Sequence, residues 1–107
     1  MNAASTIHVI SLEPELEKQM QNALVQTKTG SELQLEPGLR TRFLLSLEQG
    51  LAWSHHEGYR KVVLLVDPSI RLQLRRMIER HFPRLSVLSY AEVAPGYQIN
   101  NLLSLSL

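Results

Sequence analysis

The sequence predicts a small layered α/β domain, a mainly parallel or mixed sheet of three to four strands packed by about three helices. Three observations predict it. Short apolar, β-branched runs alternate along the chain with amphipathic segments of helical period. One run, "KVVLLV" (Lys61–Val66), is apolar without alternation, the pattern of a strand buried on both faces of a parallel sheet. And 107 residues, 44% hydrophobic and 20% charged, make one core of ordinary globular composition. Alternation of this kind joins parallel strands through right-handed crossovers.

"TIHVISL" (Thr6–Leu12) reads as the first strand, with Ile7 and Val9 pointing one way and His8, Ile10 and Leu12 the other, so that both faces are apolar. A helix follows over Pro14–Gln26. Pro14 suits its first turn, Glu13, Glu15 and Glu17 suit the positive end of its dipole, and Leu16, Met20, Ala23 and Leu24 recur at helical spacing. "TKTGS" (Thr27–Ser31) is a turn cluster, and "ELQLEP" alternates as a short strand, placed at an edge. Pro37–His56 is expected to be the longest helix, carrying Phe43, Leu44, Leu47 and Leu51 and stopping at Gly58; Gly50 costs it about 1 kcal/mol against alanine. After Lys61–Val66, Ile70, Leu74, Met77, Ile78 and Phe82 form the stripe of a third helix, Ser69–Phe82, ended by Pro83. A last strand is expected near Leu85–Leu88, and "AEVAPGYQINNLLSLSL" reads as loop and tail. The division that follows is a linker or cloning remnant at residues 1–5, a single α/β domain at 6–99 and a C-terminal tail at 100–107.

Eleven Lys and Arg stand against ten acidic residues, so long-range attraction to a polyanion is weak and nucleic acid is not favoured as a partner. There is no cysteine, which removes disulfides, thiolate zinc sites and cysteine nucleophiles together. No window approaches the roughly 18 apolar residues of a membrane span, and "MNAASTIHV" lacks the regions of a signal peptide, so a soluble chain without membrane contact of its own is expected.

Three constellations invite chemistry. Asp67 stands where a strand hands over to a helix, a place where open α/β sheets hold ligands. A phosphoacceptor there needs further carboxylates beside the first strand, and only Glu13 and Glu15 follow that strand; a turn or helix-cap role shared with Ser69 fits better. Arg71, Arg75, Arg76, Arg80 and Arg84 look like a basic stripe, but helical spacing separates Arg71 and Arg75 from Arg76 and Arg80, so they read as a solvated face. His55 and His56 diverge by about 100° on a helix and cannot share an ion as an i, i+4 pair does. With no nucleophile elbow, glycine-rich phosphate loop or Walker lysine, the residues argue for no enzyme, cofactor or metal. Trp53 is either a partner anchor or part of the core; Tyr90 and Tyr97, flanking "AEVAPG", are the better surface candidates.

"IHVISLEPELEKQMQNAL", "LQLEPGLRTRFLLSLEQGL" and "VVLLVDPSIRLQLRRMIERHFPRLSVLSYAEVAPGYQI" together resemble the C-terminal cytoplasmic subdomain of the FHIPEP family, the export gates of flagellar and virulence type III secretion. The resemblance covers roughly Thr6–Ile99 and is most specific where the arginine helix runs into "LSVLSYAEV". "AEVAPG" departs from an Asn-Glu-Ile-Pro-like run common in the family, and Asp67 from commoner small residues. Such proteins join an N-terminal membrane domain to a cytoplasmic domain that forms a nine-membered ring at the inner membrane and receives chaperones and export substrates. The resemblance implies a non-catalytic docking and gating subdomain. Its implied partners are other subdomains and protomers of the gate, chaperone–substrate complexes and ATPase-stalk components, met through Tyr90, Glu92, Pro95 and Tyr97 on the rim. The alternative is a receiver-like regulatory α/β module that binds a small ligand or phosphate at Asp67.

Overall fold

A computed structural model describes residues 5–107. The reading of residues 1–5 as a linker or remnant therefore falls, except for Ser5, outside the described residues. The chain runs β1 (Thr6–Leu12), α1 (Pro14–Asn22), β2 (Leu24–Thr27), β3 (Gly30–Leu33), α2 (Pro37–His56), β4 (Val63–Val66), α3 (Arg71–Ile78), β5 (Val87–Ser89) and β6 (Gln98–Leu105), with a 3₁₀ turn at Tyr90–Glu92. Strands β5, β4, β1 and β6 lie in that order in one sheet, and every pairing in it is parallel. This is the expected α/β architecture, with four strands and three helices.

Alternation along the strands sorts the core. Ile10, Leu12, Leu64, Val66, Val87 and Leu105 share one face of the sheet and meet Leu16 and Met20 of α1, Phe43 and Leu47 of α2, and Leu74 and Ile78 of α3. Val9, Val63 and Leu65 form a second, smaller cluster on the opposite face with Ile7, Leu88 and Val93. All three helices thus cover one face and none covers the other. On α2 the buried positions Phe43, Leu47, Gly50 and Ser54 trace a single stripe. A Cβ on Gly50 would stand 3.2 Å from Leu103 Cδ1 and 3.5 Å from Ile10 Cδ1, so the glycine lets the helix approach the sheet closely. The buried Ser54 hydroxyl is satisfied by donating to the Gly50 carbonyl at 2.8 Å.

Helix α1 stops at Asn22, four residues short of the expected Gln26, because the next stretch is a hairpin. Leu24 fits the helical stripe, but Val25 and Thr27 favour a strand, and Gly30, at φ 128°, allows the tight return. The Thr27 hydroxyl donates to the Gly30 carbonyl at 2.9 Å, and the Gln34 amide donates to the Ala23 carbonyl at 3.0 Å, closing the far end. Of the expected "ELQLEP" strand only Glu32 and Leu33 are strand: β3 starts earlier, at Gly30, and pairs only with β2, in a two-stranded sheet of its own. Helix α3 spans eight residues where Ser69–Phe82 was expected. The Arg75 guanidinium donates to the carbonyls of Phe82 and Pro83 at 3.4 Å each, fastening the descending turn below it.

The reading of residues 100–107 as a tail does not hold for Asn100–Leu105. They belong to β6, an eight-residue edge strand paired with the whole of β1. Asn100 and Asn101 interrupt the apolar alternation, and a register shift opposite Val9/Ile10 inserts an extra residue, so no period-2 signal survives in the sequence. Around the irregularity Ser11 Oγ donates to Asn101 Oδ1 at 2.8 Å and lies 2.9 Å from Ser104 Oγ.

Strand order explains the second face. The chain moves outward from β1 to β4 to β5 through helices on one face, then returns past β4 and β1 to reach β6. Because direction and face reverse together, all three crossovers keep one hand, which the rule for parallel connections makes right-handed. The return is made not by a helix but by Tyr90–Tyr97, an eight-residue strap whose Val93 lies on Val9, Val63 and Leu65.

Candidate functional site

The strap is anchored at each end by backbone chemistry that its sequence supplies. At its start Glu92 Oε1 accepts the Ser89 amide at 2.7 Å, the reach-back bond of a capping box, and lies 3.3 Å from Arg71 Nε. Towards its end the Tyr97 amide donates to the Ala94 carbonyl at 3.4 Å around Pro95 and Gly96. Gly96 sits at φ 92°, so proline then glycine is the pairing a type II turn requires. The Gln98 amide then donates to the Ser5 carbonyl at 2.8 Å and starts β6 beside β1.

Beside the strap, on the face without helices, lies a groove of about 610 Å³. Ile7, Val63, Leu88 and Val93 give it apolar walls, and Tyr97 and Lys61 stand among its lining residues. Tyr97 is about half exposed, as is Ile99, which pairs with Ile7 in the neighbouring strand. Of the four residues expected at the rim, Glu92 and Tyr97 line this groove. Pro95 shapes the turn without lining it, and Tyr90 lies elsewhere. Ile7, Lys61, Val63, Leu88 and Val93 were not expected there. A signal for them existed: a first strand apolar on both faces needs cover on both, and the helices supply only one.

Tyr90 sits at the carboxyl ends of the strands, where the chain leaves β4 for one face and β5 for the other. This is the switch point at which open sheets hold ligands. Here the chain fills it. The Tyr90 hydroxyl donates to the Glu17 carboxylate (3.1 Å to Oε2, 3.3 Å to Oε1), which also accepts the Asp67 amide at 2.8 Å. Partial burial, with the neighbouring Glu17 charge adding to it, pushes the Tyr90 phenol up to about 12. Asp67 Oδ2 accepts the hydroxyl and the amide of Ser69, at 2.5 and 2.9 Å, and these bonds hold its carboxyl below the usual aspartate range. Asp67 is therefore the turn residue expected, its Oδ2 accepting both bonds from its own loop.

The other candidates disperse. Arg71 pairs with Glu92 and Arg75 with carbonyls, whereas Arg76 and Arg80 face a different cleft. His8 packs on Tyr59 with ring centres 4.8 Å apart, and its Nδ1 lies 3.0 Å from Asn100 Nδ2. His55 and His56 are exposed on the last turn of α2, and Trp53 is about half exposed on the same helix. Among the described residues no cluster of three or more metal-ligating side chains is present, and no helix is long and apolar enough to cross a membrane.

Compared with known proteins, residues 1–98 match the FHIPEP family. The chain belongs to the FHIPEP family, the export-gate family of type III secretion. The flagellar biosynthesis protein FlhA of Escherichia coli (strain K12) is 37% identical over 93 residues, 87% of this chain and 13% of FlhA. Among solved structures, nonameric EPEC SctV-C superposes with a TM-score of 0.79 at 25% identity, covering 94% of this chain and 29% of that one. The Chlamydia pneumoniae CdsV and CdsO complex superposes at 0.69 and 28% identity, over 98% of this chain and 30% of the other. The chain therefore spans about an eighth of its full-length FHIPEP relative and under a third of the related structures. The receiver-like alternative is set aside: Asp67 serves its own turn, and the family is one of export gates.

Proposed function

We propose that this chain is a non-catalytic docking and gating subdomain of a type III export gate, flagellar or virulence-associated. Its partner-facing surface is the strap and the groove beside it. The observation that carries the reading is the unequal covering of the sheet. One face is sealed by three helices, while the other bears only an eight-residue strap with half-exposed Tyr97 and an open apolar groove. Concave apolar surface with aromatic and charged groups at its margin is what protein partners use.

Family membership supports the setting, with the subdomain carried on the cytoplasmic side of the bacterial inner membrane by the remainder of a longer gate. Likeness to a nonameric structure supports neighbouring protomers as partners, and likeness to CdsV in complex with CdsO supports a second, non-gate protein. Chaperone–substrate complexes are the third class, received when the subdomain moves within the ring. No group in the strap has the geometry of a catalytic centre, and its charged members serve the fold: Glu92 holds the 3₁₀ turn and Arg71.

The test places Tyr97→Ser in the full-length gate and measures secretion of export substrates, beside the melting curve of this chain carrying the same change. Tyr97 makes no side-chain hydrogen bond among the described residues and is about half exposed, so the fold should be kept. Reduced secretion with an unchanged melt is expected. Normal secretion would remove the groove from the docking surface.

A further inference from the structure

On the helix side of the molecule the β2–β3 hairpin lies against α3, tied by the Gln73 amide donating to Ser31 Oγ at 2.6 Å. Between the hairpin, α3 and the first turn of α2 is a cleft of about 440 Å³. Three arginines from separate stretches converge on it: Arg40 on α2, Arg76 on α3 and Arg80 just past the end of α3. We propose that this cleft is a second docking site, one that takes an acidic, extended segment of another protein. The proposal does not depend on the role of the strap.

Charge is the first argument. Among the described residues the one ion pair is Arg71–Glu92, so Arg40, Arg76 and Arg80 reach the cleft without a carboxylate of their own. The chain had acids to spare, ten against eleven basic residues. Yet Glu79, between Arg76 and Arg80 in sequence, pairs with neither, and the acidic side chain in the lining is Glu32 alone. Like charges one helical turn apart disfavour the fold slightly, and planar guanidinium groups bind carboxylates in two-point fashion. Gathering three of them unpaired on a cleft leaves a positive field that an incoming carboxylate satisfies.

Shape and backbone are the second argument, and they favour a peptide over a small anion. The hairpin is a two-stranded sheet, so its strands keep free edges on which an extended segment can pair. The cleft also carries the Ser31 hydroxyl, which accepts from Gln73 and keeps its own proton to donate to a peptide carbonyl, and an apolar patch at Met77 for an interspersed hydrophobic side chain. Sequence reading missed the cluster because helical spacing placed Arg76 and Arg80 on a solvated face, and nothing in the chain order announces that Arg40 joins them.

The experiment titrates this 107-residue chain into a short fluorescent peptide of alternating glutamate and leucine, with the glutamine counterpart as control. The glutamate peptide should bind with an affinity that falls as salt rises, and the glutamine peptide about ten-fold more weakly or less tightly still. Arg76→Gln with Arg80→Gln should weaken binding about ten-fold, and Arg40→Gln, on another helix, in the same direction. Arg60→Gln with Arg84→Gln removes equal charge at a different depression and should change it less than about two-fold. Thermal melts confirm that each variant folds. Absence of binding, equal weakening by both double variants, or displacement of the peptide by an equal concentration of inorganic pyrophosphate would each overturn the proposal, the last in favour of a small-anion site.

Discussion

The two faces of the sheet are built from the same alternating strands but closed by different means. On one face Ile10, Leu64, Val66 and Leu105 meet residues from three helices, and Phe43, Leu47, Leu74 and Ile78 are wholly buried. On the other, Val9, Val63 and Leu65 are equally buried, yet Val93 is the strap residue that packs on them. A helix brings a long apolar stripe in register with a sheet. A strap crossing once brings one or two side chains and leaves the surface on either side exposed. The first face supplies most of the stability, and the second leaves room for an incoming partner.

The sharpest way to break this comparison is to hollow out the helix side. Leu74→Ala removes a fully buried side chain from α3 and should destabilise the chain by about 2–5 kcal/mol, read from denaturant midpoints. A loss below about 1 kcal/mol would mean that α3 is not part of the main core.

That helix was legible in the sequence, as were β1, β4 and the ends of α2. The reason is physical: Ile70, Leu74 and Ile78, or Phe43 and Leu47, are buried by contacts that follow the helical period, and Val62–Val66 is a continuous apolar run because its side chains are buried on both faces of the sheet. What was not legible depended on partners distant in sequence. The hairpin hid behind Leu24, which satisfies a helical stripe and a strand equally well. β6 hid behind Asn100 and Asn101, which are tolerated because Asn100 meets His8 across the sheet and Asn101 meets Ser11 beside the register shift. Of the four residues expected at the rim, Glu92 and Tyr97 line the groove, as loops after strands display side chains. The groove walls were not, because Ile7, Val63 and Leu88 look in sequence like ordinary core.

A middle-sized effect is expected where the strap is fastened. Glu92→Ala removes the bond to the Ser89 amide and the ion pair with Arg71, both partly exposed, and should cost about 1–2 kcal/mol. Hydrogen exchange should show the Val93 and Tyr97 amides losing protection while those of β4 keep theirs. If β4 loosens equally, the strap is an integral part of the core and the contrast between the faces is weaker than drawn.

The Tyr90–Glu17 contact sharpens the comparison through pH. The Tyr90 phenol is raised in the folded chain from its ordinary 10.0 to about 12, so the folded state holds that proton more tightly than the unfolded state does. Its stabilising contribution is complete below pH 10 and is lost as the pH rises from there through about 12. Melting temperature should therefore fall over that window more steeply in the parent than in Tyr90→Phe. Asp67 works in the opposite direction: its carboxyl lies below its ordinary 3.8, so its contribution is present above that pH and is lost on further acidification. Parallel alkaline profiles for the parent and Tyr90→Phe would show that the hydroxyl is not held by Glu17 in solution.

The smallest stability effect is expected at Tyr97, the residue chosen to test the proposed docking surface. Tyr97 is about half exposed, hydrogen-bonds through its side chain to nothing among the described residues, and follows a turn set by Pro95 and Gly96 rather than by its own ring. Tyr97→Ser should therefore change stability by no more than about 0.5 kcal/mol, the range of an exposed substitution, as should Arg80→Ala on the helix side. The two variants come from opposite faces and should be equal in the melt. If Tyr97→Ser instead lowered the midpoint as far as Glu92→Ala, the ring would be a lid over Val63 and Leu88. The groove would then be part of the strap's own packing, and a secretion defect in that variant would follow from a loosened fold. An unchanged melt with reduced secretion in Tyr97→Ser would instead assign the defect to the open face of the sheet, because the side chain removed there leaves the core closed.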